Sequence, residues 1–330
     1  KIGMDPVDFA LKNMRRPTEQ QRYTNYSLDE CIEQGRELFD WESRWRPEPG
    51  SDTGPIKRGA GMAFMMFRAG VGPSSAILRV NSDELYTLYV GVTDIGPGAK
   101  TTMALIAAEE LGVPLSQVEV VWGDTDLCPY SVGESGSRTT TMTGYAVVQA
   151  ALDLKGQIAE RGMPMGDEVL IASATPTPST QGMRRMCFGA HFVEVEADVQ
   201  LGNVRITKYV AVHESGRILN PLPAKDQIRG AALQGVGQAL HEDLRYDPLN
   251  GHPLNAGYYG ARHVTHMDVP EIEVTFIETD DGYGPYGAKT VGEAGIILGP
   301  AAVANAVFNA IGHRMKDLPI TREKILEALA

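Results

Sequence analysis

From Val193 to Val199 the chain alternates strictly. Val193, Val195, Ala197 and Val199 fall on one side, and Glu194, Glu196 and Asp198 on the other. A period of two places successive side chains on opposite faces of a strand. The turn LGN then leads into VRITKYVAVHES, so the pair reads as a β-hairpin. Upstream, GAGMAFMMFR and SSAILRVNSDELYTLYVGV carry further strand-like runs, and VEVVWGD a shorter one. Helices are predicted over TTMALIAAEELG, over the Gly/Gln-rich stretch before Leu240, and from YAVVQAALDL onward, starting at Tyr145. Another brings Val303, Val307 and Ile311 to one side, with Gly312 as its stop.

The ends of the chain are helical. Pro6 opens a helix whose apolar side is Phe9, Leu11 and Met14, and LDECIEQGRELFDW forms a second. The last helix starts at Thr321, an N-cap, with Glu323 in its first turn. The polar stretch RPEPGSDTGP punctuates the chain near residue 56. Three regions follow: 1–56, 57–188 and 189–330. Hairpins with helices laid on them predict an α+β fold, not a doubly wound sheet. No internal repeat is evident.

Composition narrows the function classes. The 330 residues are enough for two domains with a sizeable core, and 43% apolar with 22% charged residues is a globular balance. A net charge of -12 argues against a nucleic-acid partner, since phosphate backbones want a basic surface. Cys31, Cys128 and Cys187 lie far apart, with no C-x-x-C pair, which fits a cytoplasmic protein without disulfides or an iron–sulfur site of its own. No long apolar stretch suggests a membrane. The opening KIGMDPVDFALKNM reads like the middle of a folded protein, so the first region is expected to dock on another polypeptide.

Four loops could carry chemistry. In VTDIGPGAKTT, glycines lead into a helix beginning near Thr101, where free N–H groups suit an anion. A tight strand-to-helix turn explains the string equally well, and it matches neither common dinucleotide pattern nor a P-loop. In GESGSRTTTMTG, Ser137, Thr139 and Thr140 crowd hydroxyls around Arg138. ESGRILNPLPAKDQIRGAALQGVGQAL offers Asn220, Gln227, Gln234 and Gln238, whose amides pair with a heterocycle's donor and acceptor edge, unless the small residues merely allow close helix contact. In KTVGEAG, Glu293 sits on a glycine-flanked turn before an apolar run. Such a carboxylate either caps the helix at Pro300 or has a job inside.

Taken in order, these strings resemble the molybdenum-cofactor domain of the xanthine dehydrogenase and aldehyde oxidase family. The strings are GMDPVDFALKNM, IAAEELGVP with VEVVWGDTD, GSRTTTMTG, GRILNPL with QGVGQAL, and VGEAG with AVANAVFNAIGHR. The resemblance covers nearly the whole chain, as the second half of a domain about twice this length, and is greatest to the nicotinate-hydroxylating branch, where that domain is divided between two subunits. It implies a first pterin-binding subdomain at 57–188 and a second at 189–330 carrying the active-site glutamate. The implied cofactor is molybdopterin cytosine dinucleotide with molybdenum. A large molybdopterin subunit would complete the domain, and FAD and [2Fe-2S] subunits would carry electrons onward to NADP.

Residue roles follow the matching strings. Glu293 matches the catalytic base, which takes a proton as oxygen from water is delivered to an electron-poor carbon. Burial would raise its pKa and the metal's charge lower it. Gly96, Gly98, Ala99 and Thr102 match the first cofactor loop, and Gly136, Ser137, Arg138, Thr139 and Thr140 the second. Asn220 and Gln227 match the third, and Lys289, Val291 and Gly292 flank the base. No residue is assigned as a metal ligand. One departure is Pro97, where the family commonly has glutamine; Lys100 could approach a phosphate instead. The expected reaction is hydroxylation of an N-heterocyclic acid, nicotinate to 6-hydroxynicotinate. The alternatives are an aldehyde, a purine or carbon monoxide as substrate, or a non-catalytic subunit that only cages the cofactor.

Overall fold

The computed structural model describes residues 2–14, 17, 22–177 and 182–330. Among them, strands β1 (Ile56–Arg68), β2 (Ala76–Asn81), β3 (Tyr86–Val90), β4 (Val118–Trp122), β5 (Val169–Ala174), β6 (Met186–Asp198), β7 (Asn203–Glu214) and β8 (Ile272–Ile277) form two four-stranded sheets. Helices α1 (Pro6–Asn13), α2 (Leu28–Phe39), α3 (Trp41–Arg44), α4 (Ala99–Leu111), α5 (Thr139–Arg161), α6 (Pro221–Leu240), α7 (Gly299–Ile311) and α8 (Arg322–Leu329) accompany them. The expected mixed sheets with helices packed on them are present.

The sheets run β4-β3-β2-β5 and β8-β7-β6-β1. In each, one edge pair is parallel, β3 with β4 and β7 with β8, and a helix, α4 or α6, makes the crossover. The other neighbours are antiparallel. The sheets are therefore two versions of one arrangement. Hairpin, crossover helix, edge strand and second helix follow in order as β2-β3-α4-β4-α5 and as β6-β7-α6-β8-α7. The remaining strand comes after the second helix in one version (β5) and before the hairpin in the other (β1). This permutation hides the repeat from a reading along the sequence. It also means the sheets cut across a division at residue 188, because β1 pairs with β6 from Ile56–Asp198 to Arg68–Met186.

Each sheet has its own core. Leu78, Leu88 and Val90 pack against Met103 and Ile106 of α4 and Val147 and Leu154 of α5. Val193, Val195 and Ala197 pack under Val303 and Val307 of α7 and Ile228 of α6. The alternation along β6 is thus the core pattern it promised, but its polar side is not bathed in solvent. Glu194 is only 7% exposed and accepts from Arg44 Nη1 at 2.9 Å and Thr207 Oγ1 at 2.7 Å. Earlier in β6, Phe188, Ala190 and Phe192 face Ile32, Phe39 and Trp41, so the N-terminal helices cover the second face of this sheet. In α1 the buried residue is Val7, while Phe9, expected on the apolar side, is 45% exposed. Asp5 caps that helix, accepting from Val7 N–H at 2.7 Å.

α7 lies directly on β1. A Cβ at Gly59 would fall 2.1 Å from Ala310 N, and one at Gly61 2.1 Å from Ala306 N, so any side chain there would force the helix off the strand. The segment Glu293–Ile311 corrects the expectation of no long apolar stretch. Its 19 residues are long and apolar enough to cross a membrane, with mean hydropathy 1.7, yet 61% of its 18-residue apolar window is buried here as core.

His191 and His213 are fully buried side by side on β6 and β7. His191 contacts Tyr209 Oη through Nδ1 and His213 through Nε2, each at 2.8 Å. Burial, reinforced by the facing ring, holds His191 well below the ordinary histidine range, and burial pushes His213 down to about 3. Above pH ~6.5 both states are neutral and nothing is lost. Below it, the unfolded chain binds protons that the folded chain refuses. Stability should therefore fall by about 2 kcal/mol per histidine between pH 7 and pH 5. Urea unfolding at the two pH values should show a markedly smaller fall in a His191→Leu/His213→Leu variant. Equal falls in both proteins would mean that the rings titrate normally when folded.

Candidate functional site

A cavity of about 620 Å³ lies between the helices of the two sheets. Its wall takes the starts of α4, α5 and α6 and the segment 288–296 that precedes α7. All four strings singled out in the sequence meet here.

At the first, Ala99 and Thr102 line the cavity together with Ile95 and Pro97. Gly96 and Gly98 do not; with φ of 118° and 75° they turn the chain into α4, which begins at Ala99, not near Thr101. The N–H groups expected to be free for an anion belong to Asp94. Its carboxylate accepts from Gly96 at 3.2 Å, Gly98 at 3.1 Å and Lys100 at 3.2 Å. Partial burial works to raise the Asp94 pKa, but the backbone donors of Lys100, Gly96, Gly98 and Ala99 outweigh it and hold the group below the usual carboxylate range. Lys100, expected to reach a phosphate, lies over the Trp122 ring at 6.0 Å.

At the second, α5 starts at Thr139, not Tyr145. Thr139 and Thr140 line the cavity from its first turn, where N–H groups have no intrahelical acceptor. Gly136 and Ser137 both take left-handed conformations, φ 70° and 56°. A serine there is strained by roughly 1 kcal/mol and persists only when its surroundings insist. They do: Ser137 Oγ accepts from Glu293 N–H at 2.7 Å and donates to Glu293 Oε2 at 3.0 Å, and the Ser137 carbonyl accepts from Thr290 Oγ1. Arg138, expected beside the cofactor, is 1% exposed and does not line the cavity. Its guanidinium donates to Gly133 O at 3.2 Å, Pro73 O at 3.0 Å, Ser74 Oγ at 3.2 Å and Gly72 O, stapling 72–74 beneath the loop. Gly136 is likewise absent from the wall and shapes the turn.

At the third, Asn220 precedes α6 without capping it, and its side chain is left to the cavity. Pro223, Gln227, Ala231 and Gln234 recur at helical spacing on the cavity side, while Ile228, Ala232 and Val236 face the core. Gln238 is not part of the wall.

At the fourth, Val291, Gly292 and Glu293 line the cavity. A Cβ at Gly292 would fall 2.8 Å from Ser137 Oγ. The room that glycine leaves is filled by Ser137. Glu293 is exposed to the cavity, whereas burial was expected. It opens the short turn Glu293–Gly295, and α7 begins at Gly299 behind Leu298 with no side-chain cap, which removes the capping alternative. Lys289 is on the wall, but its ammonium points into the core. Nζ donates to Glu214 Oε2 and Met186 O, both at 2.9 Å, and to Asn25 Oδ1. The Lys289 backbone is gripped as well: N–H donates to Ser215 O at 2.9 Å and the carbonyl accepts from Thr141 Oγ1 at 2.9 Å.

Among the lining residues not foreseen are Glu134, Ser215 and Arg217. The Ser215 hydroxyl is 1% exposed and has no hydrogen-bond partner among the described residues. Nothing in the string ESGRILNP marks that serine, although the arginine inside it could have been noticed. Among the described residues, no group of three or more His, Cys, Asp or Glu is placed to hold a metal ion.

Residues 34–174 and 170–270 match the family model of the molybdopterin cofactor-binding domain. The aldehyde oxidoreductase molybdenum-binding subunit PaoC of Escherichia coli (strain K12) is 34% identical over 360 residues, covering 100% of this chain and 49% of the relative. The xanthine dehydrogenase molybdenum-binding subunit of Escherichia coli O157:H7 is 31% identical over 382 residues, covering 99% of this chain and 50% of the relative. The crystal structure of quinoline 2-oxidoreductase from Pseudomonas putida 86 matches with a TM-score of 0.87 at 25% identity, over 99% of this chain and 50% of that one. The chain spans about half the length of the curated relatives it matches. Joined at one cavity, the strings that suggested the family are now accompanied by its fold and its sequence model, and the chain belongs to the molybdopterin cofactor-binding domain family, whose members here are xanthine dehydrogenase and aldehyde oxidoreductase molybdenum-binding subunits.

Proposed function

We propose that this chain is the molybdopterin-binding part of a molybdenum hydroxylase. Its substrate class would be electron-poor N-heterocycles, with nicotinate, giving 6-hydroxynicotinate, our choice. The observation that carries the reading is the Ser137–Glu293 contact on the wall of a cavity of about 620 Å³. That volume is in the range of small-molecule and cofactor sites. The residues fit a pterin cofactor. Asn220, Gln227 and Gln234 bring amides with both donor and acceptor, Thr139 and Thr140 add hydroxyls at a helix start, and the buried Ser215 hydroxyl awaits a partner. The cytosine dinucleotide form is part of the proposal, as are the large molybdopterin subunit, the FAD and [2Fe-2S] subunits and the NADP linkage.

When bound, the molybdenum cofactor supplies the two-electron redox chemistry and the route by which oxygen from water reaches the substrate carbon. The chain's own part is a proton transfer and its alignment. Ser137 holds Glu293 Oε2, leaving Oε1 without a partner among the described residues as the proton-accepting atom. The backbone bond from Glu293 N–H to Ser137 Oγ fixes the base of the side chain, so the carboxylate is aimed before substrate arrives. Ile95, Ile218 and Ile296 give the wall apolar surface that can exclude water from a flat ring.

The heterocycle reading draws on the likeness to quinoline 2-oxidoreductase. The 34% identity to an aldehyde oxidoreductase subunit favours an aldehyde as the second reading. Anaerobic mixing of the purified native enzyme with nicotinate or an aromatic aldehyde, monitoring reduction of the molybdenum centre, separates them. Faster reduction by nicotinate is expected. Reduction by aldehydes alone would favour the second reading, and an enzyme purified without molybdenum would remove both.

A further inference from the structure

We propose that Arg217 is a phosphate-binding side chain of the cavity and takes a phosphate of the pterin cofactor; the inference rests on the cofactor reading of this cavity. Among the described residues, the charged side chains on the wall are Glu134, Arg217, Lys289 and Glu293. Three are already engaged. Glu134 accepts from Thr93 N–H and Thr93 Oγ1, each at 2.8 Å. The Lys289 ammonium is turned into the core toward Glu214 at 2.9 Å, and Glu293 is bonded to Ser137. Arg217 is exposed at the cavity, and its guanidinium has no ion-pair or hydrogen-bond partner among the described residues.

Arg217 is nonetheless held in place. Its guanidinium carbon lies 5.9 Å from the centroid of the Tyr286 ring. Tyr286 is a fixed platform, because its backbone is left-handed at φ 55° and its hydroxyl donates to Glu110 Oε2 at 3.2 Å. A cation drawn to a ring face makes no hydrogen bond there, so the guanidinium N–H donors stay free for another partner. Two parallel donors in a rigid fork match a phosphate's oxygens.

The backbone beside Arg217 offers few donors: Pro221 and Pro223 at the start of α6 carry no N–H, and those before α4 are taken by Asp94. Among the charged groups on the wall, Arg217 is the cation left to meet an anion. A carboxylate on the substrate is the competing occupant.

The test uses the purified native enzyme carrying Arg217→Met or Arg217→Lys. Molybdenum and pterin phosphate are quantified per chain before and after stepwise salt washes. Loss of a charge-assisted fork should weaken cofactor retention by roughly 10- to 100-fold in Arg217→Met. Arg217→Lys, with charge but no fork, should fall between it and wild type. Thermal unfolding of the cofactor-free proteins should be unchanged, because the side chain is exposed. Wild-type retention in Arg217→Met would overturn the assignment. So would full retention with an approximately 10-fold rise in KM for a carboxylate-bearing substrate and none for its neutral analogue, which would give the fork to the substrate. Wild-type enzyme lacking molybdopterin would instead overturn the cavity reading, and this inference with it.

Discussion

Replacing Glu293 with glutamine is expected to slow substrate-driven reduction of the molybdenum centre by roughly 10²–10⁴-fold, about 3–5 kcal/mol of barrier. Molybdenum content should stay near the wild-type level. Glutamine keeps the shape of the side chain, and its amide oxygen can still accept from Ser137 Oγ, now 3.0 Å from the carboxylate. The bond from the backbone N–H of residue 293 to Ser137 does not depend on the side chain. What is lost is the capacity to take a proton. The competing explanation, a carboxylate that caps α7, predicts about 1 kcal/mol of lost stability with turnover intact. The start of α7 behind Leu298 already speaks against it. Reduction rate and molybdenum measured in one sample decide the matter: a near-normal rate per molybdenum would take Glu293 out of the mechanism.

Lys289→Met should cost about 3–5 kcal/mol of stability, because it strands a charge. The Lys289 and Glu214 side chains are 2% and 0% exposed, with the ammonium and carboxylate 2.9 Å apart. Glu214 is further tied by Thr279 Oγ1 at 2.5 Å and Gly216 N–H at 2.9 Å, so it cannot swing out to water when its partner goes. Removing both charges, in Lys289→Met/Glu214→Gln, should recover about 2 kcal/mol or more of that loss, since a neutral amide has far less to lose by burial. Chemical unfolding of the three proteins tests this. A single variant within about 1 kcal/mol of wild type would mean that water reaches the pair and that it does little for the fold.

Local pattern revealed some of this molecule and concealed the rest for identifiable reasons. The β6–β7 hairpin was legible because only one face of its distal half meets an apolar core, which leaves a clean period of two. α7 was legible because its apolar residues recur at helical spacing. The start of α5 was not. Thr139, Thr140, Thr141 and Gly144 are poor helix formers, and they become helical because Thr141, Met142, Thr143 and Gly144 are packed inside. β5 and β8 escaped because short edge strands are defined by their neighbours more than by their own residues. Glu293, which lines the cavity, stood out because an isolated carboxylate among small residues is odd on its face. Arg138 misled for a related reason: the sequence shows an arginine among hydroxyls but not that four acceptors close over it. Asp94 could have been read. An aspartate just before a Gly-Pro-Gly turn and a helix is a common way to satisfy first-turn donors.

The permuted repeat gives the Ser137–Glu293 contact a particular vantage. Ser137 lies just ahead of α5 and Glu293 just ahead of α7, so the two residues come from corresponding loops of two structures that each close their own core. The bonds of 2.7 and 3.0 Å between them cross the seam. A small rotation of one half against the other would lengthen those bonds, much as the offset between two rulers shows at their shared edge. The aim of the carboxylate is thus a readout of the angle between the halves. If Glu293 is the base proposed above, changes far from the cavity that alter this angle should slow proton transfer without unfolding the protein.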